Sequence, residues 1–244
     1  MTELLVPHRF CGPPSSGNGG WTAGALAELA VPAGPGPVVT VSLRRPPPLD
    51  TPMPVSVLDG VTTAHHDDHV VATAAVEPAD RELTVVEAVP AELARAAEAS
   101  YPGHRSHPFP TCFVCGTGRA PGDGMRIFPG PVDDQDGAAR SAATWTPDEG
   151  VSDGAHVTLP ATWAALDCVG GWAGGFEERP MVLARMSAQV DALPRTGEEH
   201  VVVGLVLGAE GRKTWTAATV HDPDGRVVAR AEHLWIRVDP ADFA

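Results

Sequence analysis

Asp167 is the one charged side chain in the run Leu159-Pro160-Ala161-Thr162-Trp163-Ala164-Ala165-Leu166-Asp167-Cys168-Val169-Gly170-Gly171-Trp172-Ala173. A helix that is apolar on every side is a buried helix. An ionised carboxylate there is costly unless it is paired, hydrogen-bonded or wetted by a cavity. Asp167 therefore has either a structural partner or a pocket in which its charge is used. A second group that could do chemistry is Gly17-Asn18-Gly19-Gly20, a glycine-rich turn leading into a short helix over residues 21–30 with Asn18 near its N-cap. A helix N-terminus carries free N–H donors and partial positive charge. The glycines also permit a tight turn or a close backbone approach to a ligand.

Other clusters carry weaker signals. His104, His107, Cys112 and Cys115 are spaced H-x2-H-x4-C-x2-C, four ligand types that zinc accepts. One C-x-x-C without a second strong pair does not establish a site, so no metal and no redox cofactor are expected. His65-His66-Asp67-Asp68-His69 looks metal-like but reads better as a solvated hairpin tip. Cys168 adjoins the acid without a neighbouring histidine to activate it, which makes it a small buried hydrophobe. Glu28 faces solvent on its short helix. Phosphate-binding, dinucleotide-binding and nucleophile-elbow motifs are missing.

These groups need elements to hold them. Strands with β-branched content and near-alternation are expected over residues 38–44, 55–64 and 70–76. Pro32, Pro35 and Pro37 end the first helix. The second half repeats the order: a hairpin from residues 125–128 and 138–145, the Asp167 helix, then strands over 181–191, 200–207, 213–221 and 227–238. Asp222-Pro223-Asp224-Gly225 makes the last hairpin turn. Between the halves, residues 91–100 form a short helix and 101–110 are irregular. A helix too apolar to face water needs a sheet to wrap it. Two such units can cover each other's sheet edges and make one continuous sheet.

The helix-then-meander order, with Gly19-Gly20 at one helix start and Asp167 on the other helix, resembles the hotdog-fold acyl-CoA thioesterase superfamily. Trp163 through Gly171 is similar to its acid-bearing helix. Cys112-Phe113-Val114-Cys115-Gly116 with Gly124 through Phe128 resembles its first strand region. Arg44-Arg45-Pro46-Pro47-Pro48-Leu49 is similar to a strand of its double-hotdog members. The likeness covers nearly the whole chain on short, degenerate motifs. It implies an α+β double hotdog of two antiparallel sheets, each wrapping a central helix, joined as a pseudo-dimer. The units would be residues 1–95 and 111–244, with 96–110 as linker.

The resemblance also implies hydrolysis of an acyl-CoA or related thioester, with CoA entering only as part of the substrate. One unit offers a helix N-terminus to the thioester carbonyl, and the other offers the acid. Here Asn18, Gly19 and Gly20 would face Asp167. The opposite pairing sets Leu159 and Pro160 against Ala27 and Glu28 and is degenerate, so one site per chain is expected. Trp21 and Trp163 would line the acyl tunnel, as could Trp172. Arg44 and Arg126, with Arg45 and Arg119, are candidates for the CoA phosphates. A non-catalytic acyl or acyl-CoA binding protein is the alternative. Dehydration of an enoyl thioester is disfavoured because no Asp-x-Asn-Pro-x-x-His stretch is present.

Bulk properties agree with a small-molecule partner. The 244 residues can bury a core, and 43% hydrophobic and 20% charged residues are ordinary for a globular chain. A net charge of -14 argues against nucleic acid and anionic membranes. No run of 18 apolar residues occurs. Residues 1–9 lack a basic start followed by an apolar stretch, so no secretory signal is expected. Four cysteines are too few for a disulfide scaffold at this length. The expected location is the cytoplasm. Further pairing of pseudo-dimers into a homo-oligomer is compatible with all of this.

Overall fold

Alternating β-branched runs cut by Gly and Pro produce short antiparallel strands, and two long apolar stretches produce helices that those strands must cover. The computed structural model describes residues 2–31 and 36–243. The strands in chain order are β1 (Glu3–Leu4), β2 (Val39–Leu43), β3 (Met53–Leu58), β4 (Val61–His66), β5 (His69–Val76), β6 (Gly130–Gln135), β7 (Ala138–Trp145), β8 (Ser152–Asp153), β9 (His156–Val157), β10 (Met181–Val190), β11 (His200–Glu210), β12 (Lys213–His221) and β13 (Val227–Arg237). The α-helices are α1 (Gly19–Ala30), α2 (Ala91–Glu98) and α3 (Leu159–Ala173). No helix among the described residues is long and apolar enough to cross a membrane.

The two sheets implied by the resemblance are corrected to the one continuous sheet expected from mutual covering of edges. Eleven strands form one sheet in the order β1-β3-β4-β5-β2-β10-β13-β12-β11-β7-β6. The halves join where β2 and β10 pair antiparallel, from Arg185 opposite Ser42 to Ala188 opposite Val39. The Thr40 and Ser187 hydroxyls hydrogen-bond across this seam at 2.7 Å. Each half would otherwise end in an unpaired edge, and pairing the two satisfies both.

Two strand assignments also change. Residues 55–64 are a hairpin, because Asp59 (φ 49°) and Gly60 (φ 77°) turn the chain between β3 and β4. Residues 125–128 are not a strand. Arg126 sits at φ 54°, outside the extended region, and β7 pairs with β6 instead. The expected tip at His65–His69 is the two-residue turn between β4 and β5. Helix α1 stops at Val31, which is extended and whose N–H donates to the Ala27 carbonyl. Of the prolines expected to end it, Pro32 and Pro35 lie outside the described residues.

Helices α1 and α3 lie on one face of the sheet and pack antiparallel against each other. Gly20 of α1 meets Asp167 and Trp163, and Gly24 meets Trp163 and Pro160. A Cβ on Gly20 would sit 2.5 Å from the Asp167 Cβ, and one on Gly24 would sit 2.7 Å from the Trp163 Cβ. Two missing side chains thus set the helix spacing. The seam is sealed by Leu26, Trp163 and Leu166, all fully buried. Each such side chain stabilises by roughly 2–3 kcal/mol. On the opposite face, α2 and the chain before it cover the second half, with Val86, Val89 and Ala94 against Ala142, Val201, Val203 and Ala217.

The stretch between the halves is anchored. Tyr101 is buried, stacks on Phe128, and donates its hydroxyl to the Cys115 carbonyl at 2.9 Å.

Candidate active site

Asn18 is the N-cap of α1, its side-chain oxygen accepting from the Trp21 N–H at 2.8 Å. That bond leaves the Asn18 Nδ2 free to donate to Asp167 Oδ2 at 3.0 Å. The Gly20 N–H, in the first turn of the same helix, donates to the same oxygen at 2.9 Å. One carboxylate oxygen is therefore held by two donors, one of them at the positive end of a helix. The other, Oδ1, is buried and has no hydrogen-bond partner. Burial pushes the Asp167 carboxyl up to about 7, against the opposing effect of the Gly20 and Asn18 bonds. A perturbed buried carboxyl with one unpartnered oxygen marks Asp167 as a candidate functional residue.

Asp167 opens on a cavity of about 250 Å³. Asn18 and Gly19 form part of its wall, with Leu43, Phe109, Met181 and Leu183 as apolar surface and Arg44 and Arg45 also lining it. Both arginines are exposed, and among the described residues neither takes part in an ion pair. In the first turn of α1 the Gly20, Trp21 and Thr22 N–H groups are all engaged. The Gly19 N–H has no acceptor among the described residues, and Gly19 lines the cavity. Gly19 is thus the free donor of the doorway, while Gly20 spends its N–H on Asp167.

The opposite pairing is nearly filled. Ala27, Leu159 and Trp163 bound a space of only about 30 Å³ that no titratable side chain lines.

Known proteins with this architecture are found by structure alone. No protein-family model matches the chain, and no curated protein matches it. A hot dog fold protein of unknown function from Alicyclobacillus acidocaldarius superposes with a TM-score of 0.61 at 17% identity, covering 96% of this chain and 92% of that one. A tesB protein from Mycobacterium avium subs paratuberculosis superposes with a TM-score of 0.61 at 14% identity, over 97% of this chain and 91% of the other. This chain has the hotdog fold. A Novosphingobium aromaticivorans protein that carries a provisional thioesterase designation shares the fold, at a TM-score of 0.59 and 12% identity over 97% of this chain and 95% of that one.

Within the hotdog frame, several residues singled out in the sequence lie elsewhere. Trp21 is half-buried and stacked on Phe10 at 4.2 Å, outside the cavity wall. Trp163 is consumed by the contact between α1 and α3. Arg126 hydrogen-bonds the Arg119 carbonyl and packs over Phe128 at 4.9 Å, so its charge does not face the cavity. Arg119 is held by the Thr111 and Arg9 carbonyls, at 2.8 Å each. Glu28 is exposed.

The cysteines group differently from the sequence pattern. Cys112 and Cys115 meet Cys168 of α3, and the three Sγ atoms lie within 4.8 Å of one another. His107 is withdrawn from that cluster: its Nδ1 accepts from the Phe109 N–H at 3.0 Å and its Nε2 reaches the Cys115 carbonyl at 3.1 Å. His104 packs edge-on against Tyr101. Residue spacing misses Cys168 because it is 56 positions from Cys112. Its place beside Asp167 on an apolar helix was the only local hint.

Proposed function

We propose that this protein is a thioesterase-like hydrolase of an acyl-CoA or related acyl thioester, with one site per double-hotdog chain. The observation that carries this reading is the asymmetric carboxylate: Oδ2 of Asp167 is pinned by Asn18 and Gly20, the buried Oδ1 has no partner among the described residues, and Asp167 and Gly19 line the same cavity. In this reading the acyl group occupies the apolar cavity, with its carbonyl oxygen on the Gly19 N–H. Asp167 Oδ1 takes a proton from a water, whose oxygen attacks the carbonyl carbon. Charge accumulates on the carbonyl oxygen, where the helix N-terminus stabilises it. Collapse expels the thiolate, which takes up the proton held by Asp167, leaving a carboxylic acid and a free thiol. Arg44 and Arg45 are placed to meet the phosphates of a CoA carrier. Residues 1–95 and 111–244 are the two hotdog units of this proposal.

The test is a panel of acyl-CoA and acyl-pantetheine thioesters, followed by thiol release, with wild type and Asp167→Asn. Turnover in wild type and its loss by about 100-fold or more in the variant supports hydrolysis. Tight binding of an acyl-CoA without turnover in either form refutes hydrolysis and leaves the acyl-binding reading.

A further inference from the structure

Three thiols converge in the same cavity wall. Cys112 and Cys115 come from one tight turn, in which the Gly116 N–H donates to the Cys112 carbonyl at 2.9 Å. A Cβ on Gly116 would sit 2.4 Å from that carbonyl oxygen, so the turn keeps its shape only with glycine there. Tyr101 and His107 both engage the Cys115 carbonyl and hold the turn in place. Cys168 arrives from α3, and its Sγ lies 3.7 Å from the Cys112 Sγ. All three sulfurs fall within 4.8 Å of one another and all three residues line the cavity. A zinc–sulfur bond of about 2.3 Å separates two thiolates on a tetrahedral ion by about 3.8 Å. The observed spacing therefore needs little movement to close around one ion.

One buried donor already faces the sulfurs, and a second buried donor is unpaired. The Asn18 Nδ2 lies 3.8 Å from the Cys112 Sγ. The Trp172 indole N–H is buried and has no hydrogen-bond acceptor among the described residues. An unpaired buried N–H is costly beside a neutral thiol and is satisfied by a thiolate.

We propose that Cys112, Cys115 and Cys168 form a three-thiolate site for Zn2+ or a similarly thiophilic dication, with the fourth coordination position facing the cavity. Binding exchanges up to three S–H protons for the ion, which leaves a net charge of -1 at the site. The proposal stands independently of the thioesterase reading, since it rests on sulfur geometry and not on Asp167.

The test uses the full chain, reduced and stripped by a chelator, titrated with Co2+ and then with Zn2+. One Co2+ per chain with a sulfur-to-metal charge-transfer band, displaced by one Zn2+, is the expected result. Cys168→Ser weakens that affinity by about 100-fold or more, while Cys11→Ser leaves the stoichiometry at one. Should Cys168→Ser fail to fold, proton release by wild type decides: two to three protons per Zn2+ supports the site. No charge-transfer band, no proton release, or equal affinity in folded Cys168→Ser overturns it.

Discussion

Replacing Asp167 by Asn separates burial from hydrogen bonding in a single measurement. The carboxyl moves from an ordinary value of 3.8 to about 7, with burial outweighing the Gly20 and Asn18 bonds. Between those two values the folded chain holds a proton that the unfolded chain has released, so this group favours folding at low pH and its contribution is lost as pH rises through about 7. The full span is about 3 pH units, or on the order of 4 kcal/mol. Between pH 5 and pH 8 about 2 of those units remain, corresponding to about 3 kcal/mol. Asparagine cannot titrate but still offers an oxygen to the Gly20 N–H. The stability of Asp167→Asn relative to wild type should therefore rise by about 3 kcal/mol from pH 5 to pH 8, then level off. Urea unfolding of both proteins at half-unit pH steps measures the difference. A flat difference, or one that falls as pH rises, would show that the two hydrogen bonds hold the carboxylate ionised, and the account of a near-neutral base would fail. In wild type, thioester turnover should climb through the same pH window, since only the ionised form accepts a proton from water.

His233 should act in the opposite sense. Burial lowers it from 6.5 to about 4, while its Nδ1 shares a hydrogen bond with the Thr216 hydroxyl at 3.1 Å, and that hydroxyl accepts from the Trp235 N–H at 2.9 Å. Its stabilising effect is present above pH 6.5 and is lost as pH falls towards 4, by about 3 kcal/mol; comparing His233→Gln with wild type across that range isolates it from Asp167. Gly20→Ala places a methyl group 2.5 Å from the Asp167 Cβ and 2.9 Å from the Trp163 carbonyl oxygen, and should cost about 3 kcal/mol in chemical denaturation. Unchanged stability there would mean that the two helices are not in close contact. Replacing Arg44 and Arg45 together by Ala should raise KM for an acyl-CoA about 10-fold and leave that of the matching acyl-pantetheine unchanged, because only the former carries the distal phosphates.

Local signals were enough for much of the fold. The bounds of α3 follow from an unbroken apolar run, and the N-cap role of Asn18 follows from its place before a helix. The Asp222–Gly225 turn and the long strands of the second half obey short-range rules of turn chemistry and alternation. The missed hairpin at Asp59-Gly60 was also legible, since Asp-Gly between β-branched runs is a strong turn signal. The break at Arg126 was not, because a left-handed arginine leaves no mark in composition.

The carboxylate itself could be singled out from its own helix, because a charge in an apolar run must be satisfied somewhere. What satisfies it comes from 147 positions away, in the first turn of α1. Helix spacing set by Gly20 and Gly24 delivers that N–H, turns Trp163 into a packing residue, and leaves Gly19 as the free donor. Which strands join the halves, β2 and β10, and the meeting of Cys168 with Cys112 and Cys115, were likewise decided in three dimensions. Periodicity and capping act over a few residues and are written in the chain. Which distant atoms come within 3 to 4 Å depends on how whole elements pack, and only the folded molecule determines it.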